Sequence, residues 1–312
     1  MTRDVLNILS LGAGVQSTTV ALMSAYGELP KFDACIFADT GWEPAEVYAH
    51  LAKLTTELEA HDIPVLTVSA GNIYEDHINP QHEHLFIRNP RNHPENLGKQ
   101  RSFIPFFIRT PTGGQAVSLG DEVAPDEPTA ATTGEWTPGR TRRTCTKTYK
   151  IEPVEKKIRE LLGLKPRQRW PLHHAVNQSF GISWDETERM SDPAHACIEH
   201  LYPLVDQKMD RDGCHAWMER HGWTAPRSAC IGCPFHRDDE WRRLRDHAPD
   251  EWEQAVHFDE AFRERQRAGL LPMVGEPYVH DSRVPLREAN IEEYRDGIYP
   301  LFGEDCSGFC GT

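Results

Sequence analysis

The chain has no excess of positive charge, no long apolar run, no internal repeat and no Gly-Lys-Ser/Thr sequence behind a glycine loop. Its 34 Lys and Arg stand against 48 Asp and Glu, a formal charge of −14. That balance excludes a free-standing, nonspecific nucleic-acid binder, although it leaves room for a local basic patch. The longest apolar stretches are of strand length, so nothing reads as a membrane span or a leader, and a cytoplasmic location without membrane partners is the default expectation. The missing Gly-Lys-Ser/Thr excludes a Walker loop.

What is there is a chain of 312 residues, enough for one large α/β domain with an appendage or for two smaller domains. In a reducing compartment its eight cysteines point to a metal, a cluster or redox chemistry rather than to disulfides. The sixteen histidines are scattered, and most are assigned to the surface. His77, His82, His84 and His93 punctuate one polar stretch but match no common metal spacing.

The opening stretch carries the first chemical signal. Val5 to Leu11 is an apolar run broken by Asn7; it passes Ser10, Gly12 and Gly14 into the hydroxyls of Ser17, Thr18 and Thr19, and helical Val20 to Met23 follows. A strand, a tight loop and a helix start expose N–H groups without intrahelical partners at the positive end of the helix dipole, a natural seat for phosphate. Gly12 and Gly14 let the backbone approach an anion, and the hydroxyls add donors. Three readings fit the loop. Gly12-Ala13-Gly14-Val15-Gln16-Ser17 nearly matches the dinucleotide fingerprint, with Asp39 as the ribose-binding acid after the next strand. A pyrophosphate loop, with small residues between Ser10 and Ser17, is the second; a purely structural turn is the third.

Further on, Ala34 to Asp39 reads as a buried strand ending in Asp39-Thr40-Gly41-Trp42-Glu43. Pro44 opens a helix to about Ala60, with Val47, Leu51, Leu54 and Leu58 at helical spacing, and Pro64 to Val68 is a third strand. This βαβαβ order predicts an α/β fold, a doubly wound, mostly parallel sheet with its ligand at the carboxyl ends of the strands. Ile104 to Ile108 is an apolar knot expected to dock on that sheet, and Gly113 to Gly139 reads as a mobile insertion or lid. A helix from Glu152 to Leu162, a strand from Ala175 to Ile182 and a short last strand at Tyr202 to Val205 follow. Helices are then expected near Asp210 to His221 and from Arg237 to Arg267, with Trp241 and Trp252 packing that region against the sheet. The expected division is a nucleotide-binding domain over 1–205, with an insertion at about 70–140, and a helical, cysteine-bearing region over 206–312.

Cys230-Ile231-Gly232-Cys233 is a turn whose thiolates can converge on zinc, an iron-sulfur cluster or a dithiol redox pair. Cys145 lies among Arg142, Arg143, Lys147 and Lys150, which favour a thiolate, and Cys306 and Cys310 bring the candidates for a four-cysteine site to five. The competing reading makes these unrelated thiols. Cys35 reads as a core residue, and Cys197 and Cys214 as structural.

Together these segments resemble the phosphoadenosine phosphosulfate (PAPS) reductase family of the adenine-nucleotide alpha hydrolases, the PP-loop ATP pyrophosphatases. The likeness rests on Ser10 to Thr19, Phe37 to Glu43, Arg143-Thr144-Cys145-Thr146 with Tyr149-Lys150-Ile151, Gly181-Ile182 with Asp185, Glu186 and Arg189, and Cys230 to Phe235. It implies that Ser10, Gly12, Gly14, Gln16, Ser17 and Thr18 hold phosphates and that Asp39 and Thr40 meet adenine and ribose. Some members carry a 4Fe-4S cluster, which implies Cys145, Cys230 and Cys233 as ligands, completed by Cys306 or Cys310; zinc is the alternative metal. PAPS reductases end in a Glu-Cys-Gly-Leu-His type segment, whereas this sequence has Glu304-Asp305-Cys306-Ser307-Gly308-Phe309-Cys310-Gly311 there. The subgroup therefore looks more like the sulfur-inserting members, such as those that thiolate tRNA or DNA.

The expectation that follows is an ATP-using sulfurtransferase that cleaves the α–β phosphate bond. Mg2+ bridges the phosphates with Asp39 as ligand or ribose partner, and Arg142, Arg143, Lys150 and Arg189 clamp phosphates or an acidic substrate. An open cluster iron, or whichever of Cys306 and Cys310 is not a ligand, carries sulfur; Cys310 is the choice made here. Asp185-Glu186 reads either as a general base or as an exposed acid pair at a helix start. The implied partners are an adenine nucleotide, a nucleic-acid or small-molecule sulfur acceptor and a sulfur-donor protein, and a homodimer is compatible with all of these. Thiol-dependent reduction of PAPS or adenylyl sulfate is one alternative, and a cluster-bearing nucleotide sensor or complex subunit without turnover is another.

Overall fold

The computed structural model describes residues 5–79, 104–111, 136–141, 143–269 and 275–292. Cys306, Cys310, Arg142, His82, His84, His93 and most of the 113–139 segment lie outside the described residues. The chain runs β1 (Leu6–Leu11), α1 (Val15–Ala25), β2 (Ala34–Asp39), α2 (Ala45–Ala60), β3 (Val65–Ser69), α3 (Ile73–Ile78), β4 (Phe107–Pro111) and β5 (Trp136–Arg140). A π-helical turn over Lys147–Ile151 leads into α4 (Glu152–Leu161), then β6 (Val176–Phe180), a 3-10 segment over Trp184–Arg189, and β7 (Ile198–Leu201). The helices α5 (Pro203–Asp206), α6 (Arg211–Arg220), α7 (Asp238–His247) and α8 (Pro249–Arg267) follow, with β8 (Glu276–Tyr278) after them.

These elements form two units, one from Met1–Ala70 and Tyr149–Ala229, the other from Gly71–Thr148 and Cys230–Ile298. The division differs from the expected break at residue 205. α6 belongs with the parallel sheet, because Cys214, Trp217 and Met218 complete the core over α1, and the expected insertion shares a unit with the later helices.

In the first unit, β3-β2-β1-β6-β7 is the strand order and every pairing is parallel. Strand side chains alternate between faces. Leu9, Leu11, Cys35 and Phe37 therefore pack with Val20 and Leu22 of α1, Leu54 and Leu58 of α2, and Trp217 of α6. Ile8, Ala34, Ile36 and Ala38 pack on the other face with Val154 and Ile158 of α4. The sheet is doubly wound, as expected. Its order reverses at β1, whose neighbours β2 and β6 lead away in opposite directions, and such a reversal opens a crevice at the carboxyl ends of the strands. Cys35, Cys197 and Cys214 are buried as structural residues, and burial pushes the thiols of Cys35 and Cys214 up to about 12. The short last strand is Ile198–Leu201 rather than Tyr202 to Val205. Pro203 cannot donate to a sheet ladder and instead opens α5.

In the second unit β4 lies between β5 and β8 in an antiparallel sheet. The apolar knot docks here, not on the parallel sheet: Phe106 stacks on Phe262 of α8 with ring centroids 4.2 Å apart. Trp241 and Trp252 likewise pack against each other across α7 and α8. Four of the sixteen histidines, His50, His77, His236 and His280, are buried. Each has a hydrogen-bond partner that offsets its burial, as where the Ile104 N–H donates to His77 Nε2 at 3.2 Å. Among the described residues no helix is long and apolar enough to cross a membrane.

Candidate functional site

β1 delivers the chain to the sheet's carboxyl edge, and the next three residues turn it into α1. The turn is made by Ala13, at φ +58°, and not by a left-handed glycine. Gly14 is then an extended N-cap, and no side chain caps the helix. The first helical bond runs from the Thr18 N–H to the Gly14 carbonyl at 3.0 Å. The N–H groups of Val15, Gln16 and Ser17 therefore lie before the intrahelical ladder begins and carry the positive end of the helix dipole. Ser17 Oγ closes the loop, accepting from the Gly12 N–H at 3.2 Å and donating to the Gly14 carbonyl at 3.4 Å. Ser10, one residue before the end of β1, accepts from Gln178 Nε2 at 2.9 Å, which fixes its hydroxyl against β6.

Gly181, the first residue past β6, presses on this turn from the other side. A Cβ there would lie 2.5 Å from Ser17 N and 2.6 Å from Ser17 Cα. Glycine is required because the opposing atoms are backbone. The loops leaving β1 and β6 thus meet at the reversal of strand order.

The Gln16 side chain turns inward. Its Nε2 donates to Ser183 Oγ at 3.1 Å and to Glu186 Oε2 at 2.8 Å, and Arg189 Nη1 donates to the same carboxylate oxygen at 2.5 Å. All four residues are buried. The amide of Gln16 is thus engaged by protein, and Arg189 by a carboxylate, where both were expected to reach phosphate. Of the Asp185-Glu186 pair only Asp185 is exposed. Thr18 is likewise engaged by protein, its Oγ1 2.9 Å from Nε2 of His50, whose pKa burial lowers to about 4.

At the end of β2, Asp39 Oδ1 accepts from the Gly41 N–H and from the Tyr48 hydroxyl, each at 2.8 Å. Burial, followed by that bond to Asp39, pushes the Tyr48 phenol above its ordinary range. The carboxylate is therefore held in one orientation at the carboxyl edge. Thr40 Oγ1 donates to Glu43 Oε1 at 3.0 Å, and Lys150 Nζ lies 3.7 Å from that same oxygen in a buried pair.

The remaining expected site residues among those described, Arg143, Cys145, Cys230 and Cys233, lie in the second unit. Arg143 sits over the Phe235 ring at 5.0 Å. The Cys230–Cys233 segment is a turn, closed by the Cys233 N–H to the Cys230 carbonyl at 2.9 Å, with His236 Nε2 3.0 Å from that carbonyl. Cys145, Cys230 and Cys233 are all partly exposed. Among the described residues no three His, Cys, Asp or Glu side chains gather as a metal site, so these three cysteines do not make one by themselves. Sequence reading missed the roles of Gly181, Ser183, Gln178 and His50. Gly181 carried a signal, standing next to Ile182 in a quoted segment, but its contact with Ser17 joins residues far apart in the chain.

No protein-family model and no curated protein matches the chain. Among solved structures, a PAPS reductase from Candida auris in a phosphate complex aligns with 72% of this chain and 76% of its own length, at 10% identity and a TM-score of 0.37. The U34-tRNA thiolase NcsA from Methanococcus maripaludis, solved with its 4Fe-4S cluster, aligns with 83% of this chain and 72% of its own, at 10% identity and a TM-score of 0.34. Both are faint likenesses of shape.

Proposed function

We propose that the first unit is the nucleotide-activating core of a PP-loop type enzyme, which binds ATP through its phosphates at the start of α1 and cleaves the α–β bond. The observation that carries this reading is the uncapped α1 N-terminus at the reversal of the parallel sheet, with the N–H groups of Val15, Gln16 and Ser17 ahead of the first helical bond. An acceptor oxygen attacks the α-phosphorus, the bond to the bridging oxygen breaks, and pyrophosphate leaves. Its developing charge is met by fixed N–H dipoles that need no reorganisation. Ser10 and Ser17 add hydroxyls, and Asp39 is assigned to the magnesium that accompanies ATP or to the ribose. Lys150 and Arg189 are assigned as positioning residues, since each is matched by a buried glutamate.

The finer reading is sulfur delivery: a sulfur nucleophile displaces AMP from the adenylated acceptor. A 4Fe-4S cluster or zinc on Cys145, Cys230 and Cys233, completed by Cys306 or Cys310, belongs to that reading, with Cys310 as the sulfur carrier where Cys306 is the fourth ligand. The described residues alone do not fit such a centre.

The test is incubation of anaerobically purified full chain with ATP and Mg2+. Pyrophosphate release supports activation. Sulfite formed from PAPS with thioredoxin would replace it with reduction, and tight ATP binding without turnover for any acceptor would replace it with a sensor or subunit role. Visible absorbance with about four irons per chain supports the cluster, whereas a colourless chain with stoichiometric zinc removes it.

A further inference from the structure

One surface of the first unit departs from the acidity of the chain. Residues 156–174 contain Lys156, Lys157, Arg159, Lys165, Arg167 and Arg169 against the single acid Glu160, a net +5 where the whole chain is −14. α4 buries Val154 and Ile158 on the sheet, which turns Lys156 outward. Arg159, in its last turn, donates to the carbonyls of Lys165 and Gln168 at 3.3 and 2.6 Å and lies 4.9 Å over Trp170, whose ring stacks on His195 at 4.2 Å. These bonds pin the loop between α4 and β6 against the end of the helix. Lys165, Arg167 and Arg169 are exposed on that loop, and their side chains make no ion pair among the described residues. Glu160 pairs with Lys157 at 2.6 Å and Glu155 lies 3.7 Å from His195, while Glu152 stands at the other end of α4 from the loop. Arg167 is held at φ +63°, a conformation that glycine would adopt with less strain.

We infer that this face is a docking surface for the phosphodiester backbone of a nucleic acid. Guanidinium groups pair with phosphate oxygens in a fork that a lysine cannot reproduce, and Arg167 and Arg169 present two of them exposed on this loop. An anionic membrane fits less well, because the loop offers one strongly exposed apolar side chain, Leu172 at 93% exposure, and no apolar helix face to insert. The acidic remainder of the chain confines contact to this face. The surface stands at the amino edge of the sheet, where the Leu6 N–H donates to the Ala175 carbonyl, and α1 starts about 20 Å away at the far end of β1. Docking here rests on charge and does not depend on what α1 binds.

The test is fluorescence anisotropy of the full chain with labelled single-stranded RNA, duplex RNA and duplex DNA across a salt series, with ATP binding measured in parallel. The expected result is salt-dependent binding of at least one of these, which Lys165→Gln, Arg167→Gln and Arg169→Gln together weaken at least about tenfold. The slope of log affinity against log salt should flatten by about two to three, while melting temperature and ATP binding are unchanged. Lys31→Gln with Lys208→Gln, elsewhere on the surface, should leave binding as it was. No binding by the wild type, binding unaltered in the triple variant, or equal capture by vesicles rich in anionic lipid would each overturn the inference. A wild type that binds nucleic acid but not ATP would instead count against the nucleotide reading and leave this inference standing.

Discussion

Two residues bear more of the first unit's geometry than their size suggests. The Cβ of Gly181→Ala would fall inside contact distance of Ser17 backbone, so the loops leaving β1 and β6 must separate. Overpacking of this kind costs about 1–3 kcal/mol. A lower melting temperature and weaker ATP binding are expected together. Gly27→Ala is the matching control, since Gly27 has φ +82° and open space around it; it should lose stability by backbone strain alone and bind ATP normally. Lys150 offers the second test. Lys150→Met removes the buried cation 3.7 Å from Glu43, which costs up to about 3–5 kcal/mol, whereas Lys150→Met with Glu43→Leu removes both charges and should recover most of the loss in urea unfolding.

At the scale of elements, α1 is the part whose placement can be tested without disturbing the rest. Proline is tolerated at the first helical position, where its missing N–H has no intrahelical partner to lose, and Gly14 already has the extended backbone that precedes proline. Val15→Pro therefore removes one donor from the proposed phosphate seat while leaving the helix. ATP affinity measured by calorimetry should fall several-fold, with a change in melting temperature no larger than that of Val15→Ala; unchanged affinity would place the phosphates elsewhere. The helix start and the strands around it were legible in sequence. Ala34 to Ala38 is a continuous apolar run, and Ile8, Leu9 and Leu11 are apolar on both sides of β1, because both faces of a parallel strand are covered. The second unit's sheet was not legible. Its strands carry Pro111 and Pro138, β5 is an edge where proline is allowed, and Phe107 must find Tyr278 across most of the chain. Gln16 illustrates the same limit within the site. Its motif position suggested phosphate, but Ser183 and Glu186, which claim its amide, come together with it only in the folded chain.

For the whole molecule, both units share one vulnerability to acid. His50 in the first and His77 in the second are buried, and burial lowers the pKa of each from about 6.5 to about 4. The unfolded chain takes up a proton at each histidine below pH 6.5, while the folded chain refuses it until about pH 4. The stabilisation is therefore complete above pH 6.5 and is lost as pH falls toward 4. For His77, which is fully enclosed, the loss amounts to about 3 kcal/mol. His77 Nδ1 lies 2.6 Å from the Ile73 carbonyl and Nε2 accepts from the Ile104 N–H, so the neutral ring joins α3 to the segment entering β4. Glutamine can accept the Ile104 bond without titrating. Amide exchange corrected for its intrinsic pH dependence should show protection falling in both units of the wild type between pH 6.5 and 4. In His77→Gln the slope for amides of α3 and β4 should flatten while that for α1 and α2 persists. A uniform response in the variant would mean that acid acts through carboxylates shared by the fold rather than through the two enclosed imidazoles.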